Sequence, residues 1–418
     1  MTKKKYYNKL KIINDPVYGF INIPSDLHYD IIQHPYFQRL RRIKQLGLSY
    51  YVYPGAVHTR FDHVLGAMHL MNAAINELRK KGHDITEEEK SGALTAILLH
   101  DIGHGPYSHT LEGLLIKNVS HEDMSLLLME KMNEEFDGKI SPGIEIFRDL
   151  YEKRFLHSLV SSQLDTDRLD YLKRDSFYSG VTEGGIGTDR IIKMLNVVND
   201  DLVIEEKGIY SAEQFIVARR IMYWQVYLHK TVIAAEEMLK GAIRRAKEET
   251  KKNGVYATNA LAYFFTHEFD GIKSVRENDL LPYTVNAYTK LDDSDIIISL
   301  KEWMTHEDKI LSELSRRLIN RELFHVEISN KPFDENKISD LKKKTAKKYK
   351  INEDEASYFV FSDRIKNKAY SLGNDSRISV LLKNGQTEDI ANASDLSNII
   401  ALSHTVEKYY LCYPKDVS

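Results

Sequence analysis

The residues with chemical potential gather in one short stretch, His100-Asp101-Ile102-Gly103-His104-Gly105-Pro106-Tyr107-Ser108-His109. It closes an apolar run, Ala93-Leu94-Thr95-Ala96-Ile97-Leu98-Leu99, whose length and freedom from Gly and Pro predict a buried helix. Gly103 would supply the left-handed turn ending that helix, and Pro106 forbids its resumption. An imidazole and a carboxylate at the end of a buried helix both lose hydration, and a multivalent cation is one of the few partners that compensates. A His-Asp pair also occurs as a plain buried hydrogen bond. The metal reading gains from its surroundings, because eight of the 16 histidines fall between His58 and His121, with Arg60 among them. Adjacent helical residues diverge by about 100°, so His100 and Asp101 can share an ion only at a helix end. Further ligands must come from elsewhere: His63, at the start of a predicted helix, and Asp167, in Gln163–Tyr171, are the candidates. Two histidines and two carboxylates suit one divalent ion of the Mn, Fe, Zn or Mg class.

Two further faces follow from spacing. Asp167, Tyr171 and Asp175 are i, i+4, i+8, as are Arg219, Tyr223 and Tyr227. A ring beside a sugar and a guanidinium on phosphate would serve a nucleotide pocket; the same stripes also occur as ordinary core.

The elements that must hold these groups read as mostly helical. Residues 11–24 predict a hairpin, and helices are expected over Asp26–Ile32, Pro35 to about Leu46, Arg60–Lys80, His121–Glu135 and Phe155–Asp175. Tyr50–Gly55 reads as a loop or short strand. Thr86 with Glu89 forms a capping box for the helix that ends at His100. After the Gly180–Gly187 turn a helix starts near Asp189, and residues 212–250 form one long helix or two. Helical pattern continues over Ala257–Phe269 and Leu300–Leu323. From Tyr358 alternation returns, with hairpin signals at Gly373-Asn374 and Asn384-Gly385, so a small α+β module is expected after about residue 325.

As a set, His63, His100-Asp101 and Asp167 resemble the H…HD…D signature of HD-domain metal-dependent phosphohydrolases. With Phe37–Leu46, Tyr51–Ala56 and Arg60–His63, the chain is similar over roughly residues 11–245 to deoxynucleoside triphosphate triphosphohydrolases of the SAM-and-HD-domain type; no SAM domain is read ahead of the motifs. The resemblance implies a helical HD domain over 1–250 with an N-terminal hairpin and a long helix, leaving a helical extension over 251–325 and a small α+β C-terminal module over 326–418. It implies release of deoxynucleoside and tripolyphosphate by metal-activated water. Arg60, His104, His109 and His121 would contact the α-phosphate or manage protons, with Glu112 orienting His121. Arg168, Tyr171 and Arg219 would take phosphate or sugar. Gln45 and Asp175 would take the 3′-hydroxyl, while Leu46 and Tyr227 crowd the 2′ position. Lys11, Asn14 and Arg41 match a nucleotide-activator region that also uses Mg, and the relatives' intersubunit activator sites imply a homo-oligomer, dimer or tetramer. Arg168 stands where relatives commonly carry lysine, Phe177 and Tyr223 where the vertebrate enzyme has histidines, and Gln33 where it has a guanine-reading aspartate.

Composition bounds the alternatives. With 42% hydrophobic and 28% charged residues and a net charge of −3, the chain is no general nucleic-acid binder. One cysteine, Cys412, excludes a disulfide framework and fits a reducing, cytoplasmic setting. The start at Lys3-Lys4-Lys5 lacks an apolar run, so no signal peptide is expected, and no stretch of 18 apolar residues spans a membrane. Two other readings stand beside the first. One is another HD phosphohydrolase, acting on nucleoside monophosphates, cyclic dinucleotides or alarmones. The other is a non-enzymatic scaffold for nucleotides or single-stranded nucleic acid, drawing on the six lysines in Lys342–Lys350 and the lysines of 247–252.

Overall fold

The computed structural model describes residues 11–277, 279–372, 377–395 and 398–417; the Lys3–Lys5 start and the Gly373-Asn374 turn lie outside the described residues. Helix accounts for 57% and strand for 12%, so the fold is mostly α as expected. The predicted hairpin is β1 (Ile12–Asp15) antiparallel to β2 (Gly19–Asn22). Asp15 closes its turn by accepting from the Val17 and Tyr18 N–H groups, each at 2.9 Å. α1 (Asp26–Gln33) follows, with Ser25 as N-cap.

The single helix predicted from Pro35 to Leu46 does not form. α2 covers only Pro35–Gln38, a 3₁₀ turn covers Arg39–Arg42, and Ile43 is extended. Long-range bonding overrides the helical pattern. Buried Arg39 donates to the carbonyls of Ile102 and Leu291 at 2.8 and 3.1 Å. Gln45 N–H donates to His58 O at 3.0 Å, and Arg60 N–H to Ile43 O at 2.9 Å. A second 3₁₀ helix, Gly47–Tyr51, precedes the turn that carries Pro54 and Gly55.

α3 (Arg60–Lys80) and α4 (Glu87–Leu99) both start in capping boxes, and every residue from Ala93 to Leu99 is buried, as the apolar run predicts. The turn after α4 differs from expectation. Its left-handed residue is Tyr107, at φ 45°, not Gly103. Gly103 is required by close approach: a Cβ there would lie 2.1 Å from the Ser125 nitrogen and 2.3 Å from the His121 oxygen. α5 (Ser108–Leu111), α6 (His121–Glu135) and α7 (Ser141–Phe147) come next.

The helix predicted over Phe155–Asp175 is two, α8 (Arg154–Val160) and α9 (Thr166–Ser179). The Asp165 carboxylate breaks it by accepting from the N–H groups of Ser162 and Arg168, both at 2.7 Å. After α10 (Thr188–Met194) comes a hairpin absent from the expectations, β3 (Leu195–Val198) and β4 (Asp201–Glu205). Its Asn199-Asp200 turn has φ of 52° and 66°, as a two-residue type I′ turn demands. Residues 212–250 lie in two helices, α11 (Ile209–Met222) and α12 (Lys230–Thr250), joined by a π turn over Tyr223–Tyr227.

Helices α13 (Asn259–Thr266), α14 (Gly271–Arg276), α15 (Leu281–Tyr288), α16 (Asp293–Trp303) and α17 (Lys309–Ile319) lead to the tail. There β5 (His325–Ser329) is followed by α18 (Glu335–Tyr349), which absorbs most of the lysine run, then β6 (Phe361–Asn367), β7 (Ser379–Leu381), β8 (Thr387–Asp389) and β9 (Val406–Tyr413). One sheet has the order β5-β9-β6; the other, β3-β4-β7-β8, pairs β4 with β7 in parallel. Among the described residues no helix is long and apolar enough to cross a membrane.

Candidate active site

Four groups from three segments converge. His63, in the first turns of α3, His100, capping α4, and Asp101 present ligand atoms all within 4.8 Å of one another. Asp167, in the first turn of α9, brings Oδ1 to 3.0 Å from His63 Nε2 and 3.4 Å from His100 Nε2. Asp101 approaches from the other side, with Oδ2 3.8 Å from His63 Nε2 and Oδ1 3.3 Å from His100 Nε2.

The far nitrogens of both rings are already engaged. His63 Nδ1 lies 2.7 Å from Asp170, and His100 Nδ1 lies 2.6 Å from the Ile97 carbonyl. Both partners accept only, so each Nδ1 carries the proton and each Nε2 of a neutral ring turns a lone pair toward carboxylate oxygen. Both Nε2 atoms are buried without a hydrogen-bond partner among the described residues. Lone pairs facing carboxylates in a buried pocket require a proton or a cation between them. The donor set fits a divalent metal.

Protonation follows the same geometry. Burial alone would lower His63, but Asp167 and Asp170 raise it to about 10. Asp101 is held well below its ordinary range despite burial, by His100, Arg60 and His104. Behind the cluster, Asp170 also accepts from Arg174 Nε at 2.9 Å, and Arg174 Nη1 donates to Asp15 at 2.7 Å, tying the N-terminal hairpin to the site.

Beside the metal groups, buried Arg60 donates to Asp101 and, at 3.0 Å, to Ser108 Oγ. His104 stacks on His121 with centroids 3.9 Å apart, and His109 sits edge-on to His104 and His121 at 5.4 and 6.0 Å. Glu112 holds His121, with its Oε1 at 3.0 Å from Nδ1 and 2.8 Å from the backbone nitrogen. Burial and the Arg60 charge push His109 down to about 4 and His104 well below its usual value.

A cavity of about 470 Å³ opens onto Arg60, Asp101 and Asp167. Gln45, Leu46, Arg168, Tyr171, Asp175 and Tyr227 line it, with His104, His109 and His121. Tyr227 OH donates to Asp175 Oδ2 at 2.8 Å, and the Tyr171 and Tyr227 rings meet edge-on at 6.3 Å. Arg168 leans back, its Nε donating to Ser162 O at 2.6 Å.

Not every candidate is brought in. Arg219 does not line the cavity; its Nη1 donates to the Ala369 carbonyl at 3.2 Å, with the Tyr223 ring 6.0 Å from the guanidinium. Lys11, Asn14 and Arg41 also lie outside the lining: the Lys11 ammonium sits over the Tyr29 ring, Asn14 pairs within the hairpin opposite Phe20, and Arg41 covers the Phe61 ring at 3.5 Å. Conversely, sequence reasoning gave no role to Asp170, Ser108, His58 or Glu236. Asp170 carries a signal, an Asp-Arg pair at i, i+4 with Arg174; Glu236 lines the cavity from α12 with nothing in its local sequence to mark it.

A family model described as HD domain matches residues 60–175, and one described as HD associated region matches residues 186–263. The chain is 34% identical over 422 residues to the uncharacterized protein YwfO of Bacillus subtilis, covering 97% of this chain and 93% of that one. It is 27% identical to the human deoxynucleoside triphosphate triphosphohydrolase SAMHD1 over 71% of this chain and 54% of that protein, so it spans about half the length of such relatives. A crystal structure of a phosphohydrolase from Bacteroides thetaiotaomicron superposes with a TM-score of 0.92 at 53% identity, covering 97% of this chain and all of that one.

Proposed function

The chain belongs to the HD-domain phosphohydrolases, and from that membership we propose that it hydrolyses deoxynucleoside triphosphates to deoxynucleoside and tripolyphosphate. The observation that carries this reading is one cavity in which a cation-fitting cluster adjoins an acid–tyrosine pair, Asp175 with Tyr227, suited to a sugar hydroxyl. His63, His100, Asp101 and Asp167 would hold a divalent cation, which would supply Lewis acidity toward water and phosphate.

The chain's own residues do the rest. Arg60, already oriented by Asp101 and Ser108, presents fixed positive charge to the α-phosphate. His104 and His109, kept neutral at pH 7, donate single N–H bonds to its oxygens without adding charge. His121 accepts or delivers a proton at Nε2 while Glu112 fixes its ring; as water adds to the α-phosphorus, the bond to the 5′-oxygen breaks and that oxygen takes the proton. Arg168 and Tyr171 steady phosphate and sugar, with Arg219 supporting them from behind the wall. Gln45 and Asp175 accept the 3′-hydroxyl, and Leu46 and Tyr227 leave no room for a 2′-hydroxyl. A Mg-assisted nucleotide activator site at Lys11, Asn14 and Arg41, a homo-oligomer and a cytoplasmic setting belong to the same proposal.

The test is a panel of deoxynucleoside triphosphates with metal-stripped protein, restoring Mn, Mg, Fe or Zn in turn, with and without a second nucleotide. Intact tripolyphosphate is the expected product. Asp101→Asn should cut turnover by about a thousand-fold while leaving the circular dichroism spectrum unchanged. Orthophosphate or a nucleoside monophosphate would point to a different HD chemistry, and no turnover with any metal would point to a scaffold.

A further inference from the structure

His58 is fully buried at its side chain and takes no part in the chemistry above. Its Nε2 lies 2.8 Å from Asp175 Oδ1, while Tyr227 OH donates to Oδ2 of the same carboxylate at 2.8 Å. Its ring stacks on Tyr178 with centroids 4.4 Å apart and planes 15° apart. Its backbone carbonyl accepts from Gln45 N–H at 3.0 Å. One residue therefore touches both groups assigned to the sugar 3′-hydroxyl, Asp175 through its side chain and Gln45 through its backbone.

A Cβ on Gly55 would come within 2.8 Å of the Tyr178 carbonyl, so the backbone at Gly55 lies close against the end of α9. His58 Nδ1 is buried with no hydrogen-bond partner among the described residues. A carboxylate only accepts, so Nε2 carries the proton and the Nδ1 lone pair goes unsatisfied, a cost a merely space-filling residue would not incur.

We infer that His58 is a positioning residue that holds Asp175 as an oriented acceptor and thereby makes the pocket demand a 3′-hydroxyl. With one donor on each oxygen, the carboxylate keeps its remaining lone pairs for a ligand that donates. A sugar lacking the 3′-hydroxyl leaves those lone pairs unpaired and is rejected. The inference rests on the proposed deoxynucleotide substrate.

The experiment compares kcat/KM for a deoxynucleoside triphosphate and its 2′,3′-dideoxy counterpart in the full-length metal-loaded protein. A hydrogen bond to a charged group is worth roughly ten- to hundred-fold. The preference for the 3′-hydroxyl should therefore fall about ten-fold or more in His58→Leu, with the dideoxy substrate nearly unaffected. His58→Gln, whose amide reaches the Nε2 position, should keep the preference, whereas His58→Asn, which reaches only Nδ1, should lose it. This polar pair decides the matter if the leucine variant does not fold. An active wild type whose preference survives in His58→Asn, or variants that lose both substrates equally, would overturn the inference alone. A wild type inert toward every deoxynucleoside triphosphate would overturn the substrate reading and this inference with it.

Discussion

His63 and His104 share one cluster yet shift in opposite directions: burial lowers both, but Asp167 and Asp170 carry His63 up to about 10, whereas Arg60 adds to burial and leaves His104 well down. Glu236 shows the third outcome, a carboxyl in the cavity wall pushed by burial up to about 7, with Lys240 and Thr110 pulling only weakly the other way. Its folded value lies above the ordinary 4.5, so between pH 4.5 and 7 the native state keeps a proton that the unfolded chain releases. Stability from this group is full below that window and falls as pH rises through it, by up to about 1.4 kcal/mol per pH unit. Glu236→Gln cannot ionise, so urea titrations should find it gaining about 1–3 kcal/mol on the wild type at pH 8 relative to pH 4.5. An identical difference at both pH values would mean that Glu236 is ionised in the folded state. Residues of this kind are illegible in sequence. His100-Asp101 announces itself by following an apolar run, but Glu236 lies in a plain amphipathic helix and acquires its environment only when α12 packs on α5.

The elements were legible where their signals are local. The capping box of Thr86 with Glu89, the β1–β2 hairpin and the Asn384-Gly385 turn all form where the residues predict. Breaks set by distant partners were not. Nothing near Arg39 says that its guanidinium will reach Leu291, and that reach helps turn 39–46 from a helix into the segment that brings Gln45 and Leu46 to the cavity. The turn after α4 depends in the same way on α6, which it meets at Gly103. Because a Cβ on Gly103 would overlap the backbone of Ser125 and His121, Gly103→Ala must push α6 outward and carry His121 with it. Thermal unfolding should show a loss of about 3 kcal/mol, and turnover should fall further than stability alone explains. Gly187→Ala, where a Cβ meets nothing within 4 Å, is the matched control and should be nearly neutral. Equal behaviour of the two variants would remove the packing account.

At the scale of the whole molecule, the tail is bound to the catalytic half through several independent contacts. β7 extends the sheet begun by β3 and β4, and α12 packs against β5, whose partner β9 buries Leu411 and Cys412 completely. The carbonyls of Ala369 and Ser371 accept from Arg219 and Gln163, at 3.2 and 2.9 Å, on the outer side of the cavity wall. Arg220 adds bonds to the carbonyls of Asn367, Leu402 and His404. Alternating Val, Ile and Tyr told of strands after residue 358 but not of these attachments, since a parallel pairing across about 175 residues leaves no local trace. Ending the chain at residue 325 would strip β4 of a neighbour, expose the apolar face of α12 and free Arg219 to swing. The exposed edge and apolar face favour association over folding. The truncated chain should therefore melt without a cooperative transition and elute as aggregate, whereas the full chain melts as one unit. A truncated chain that melts cooperatively and keeps the sugar selectivity of the full protein would show instead that the cavity is held by residues 11–325 alone, and that Arg219 needs no carbonyl behind it.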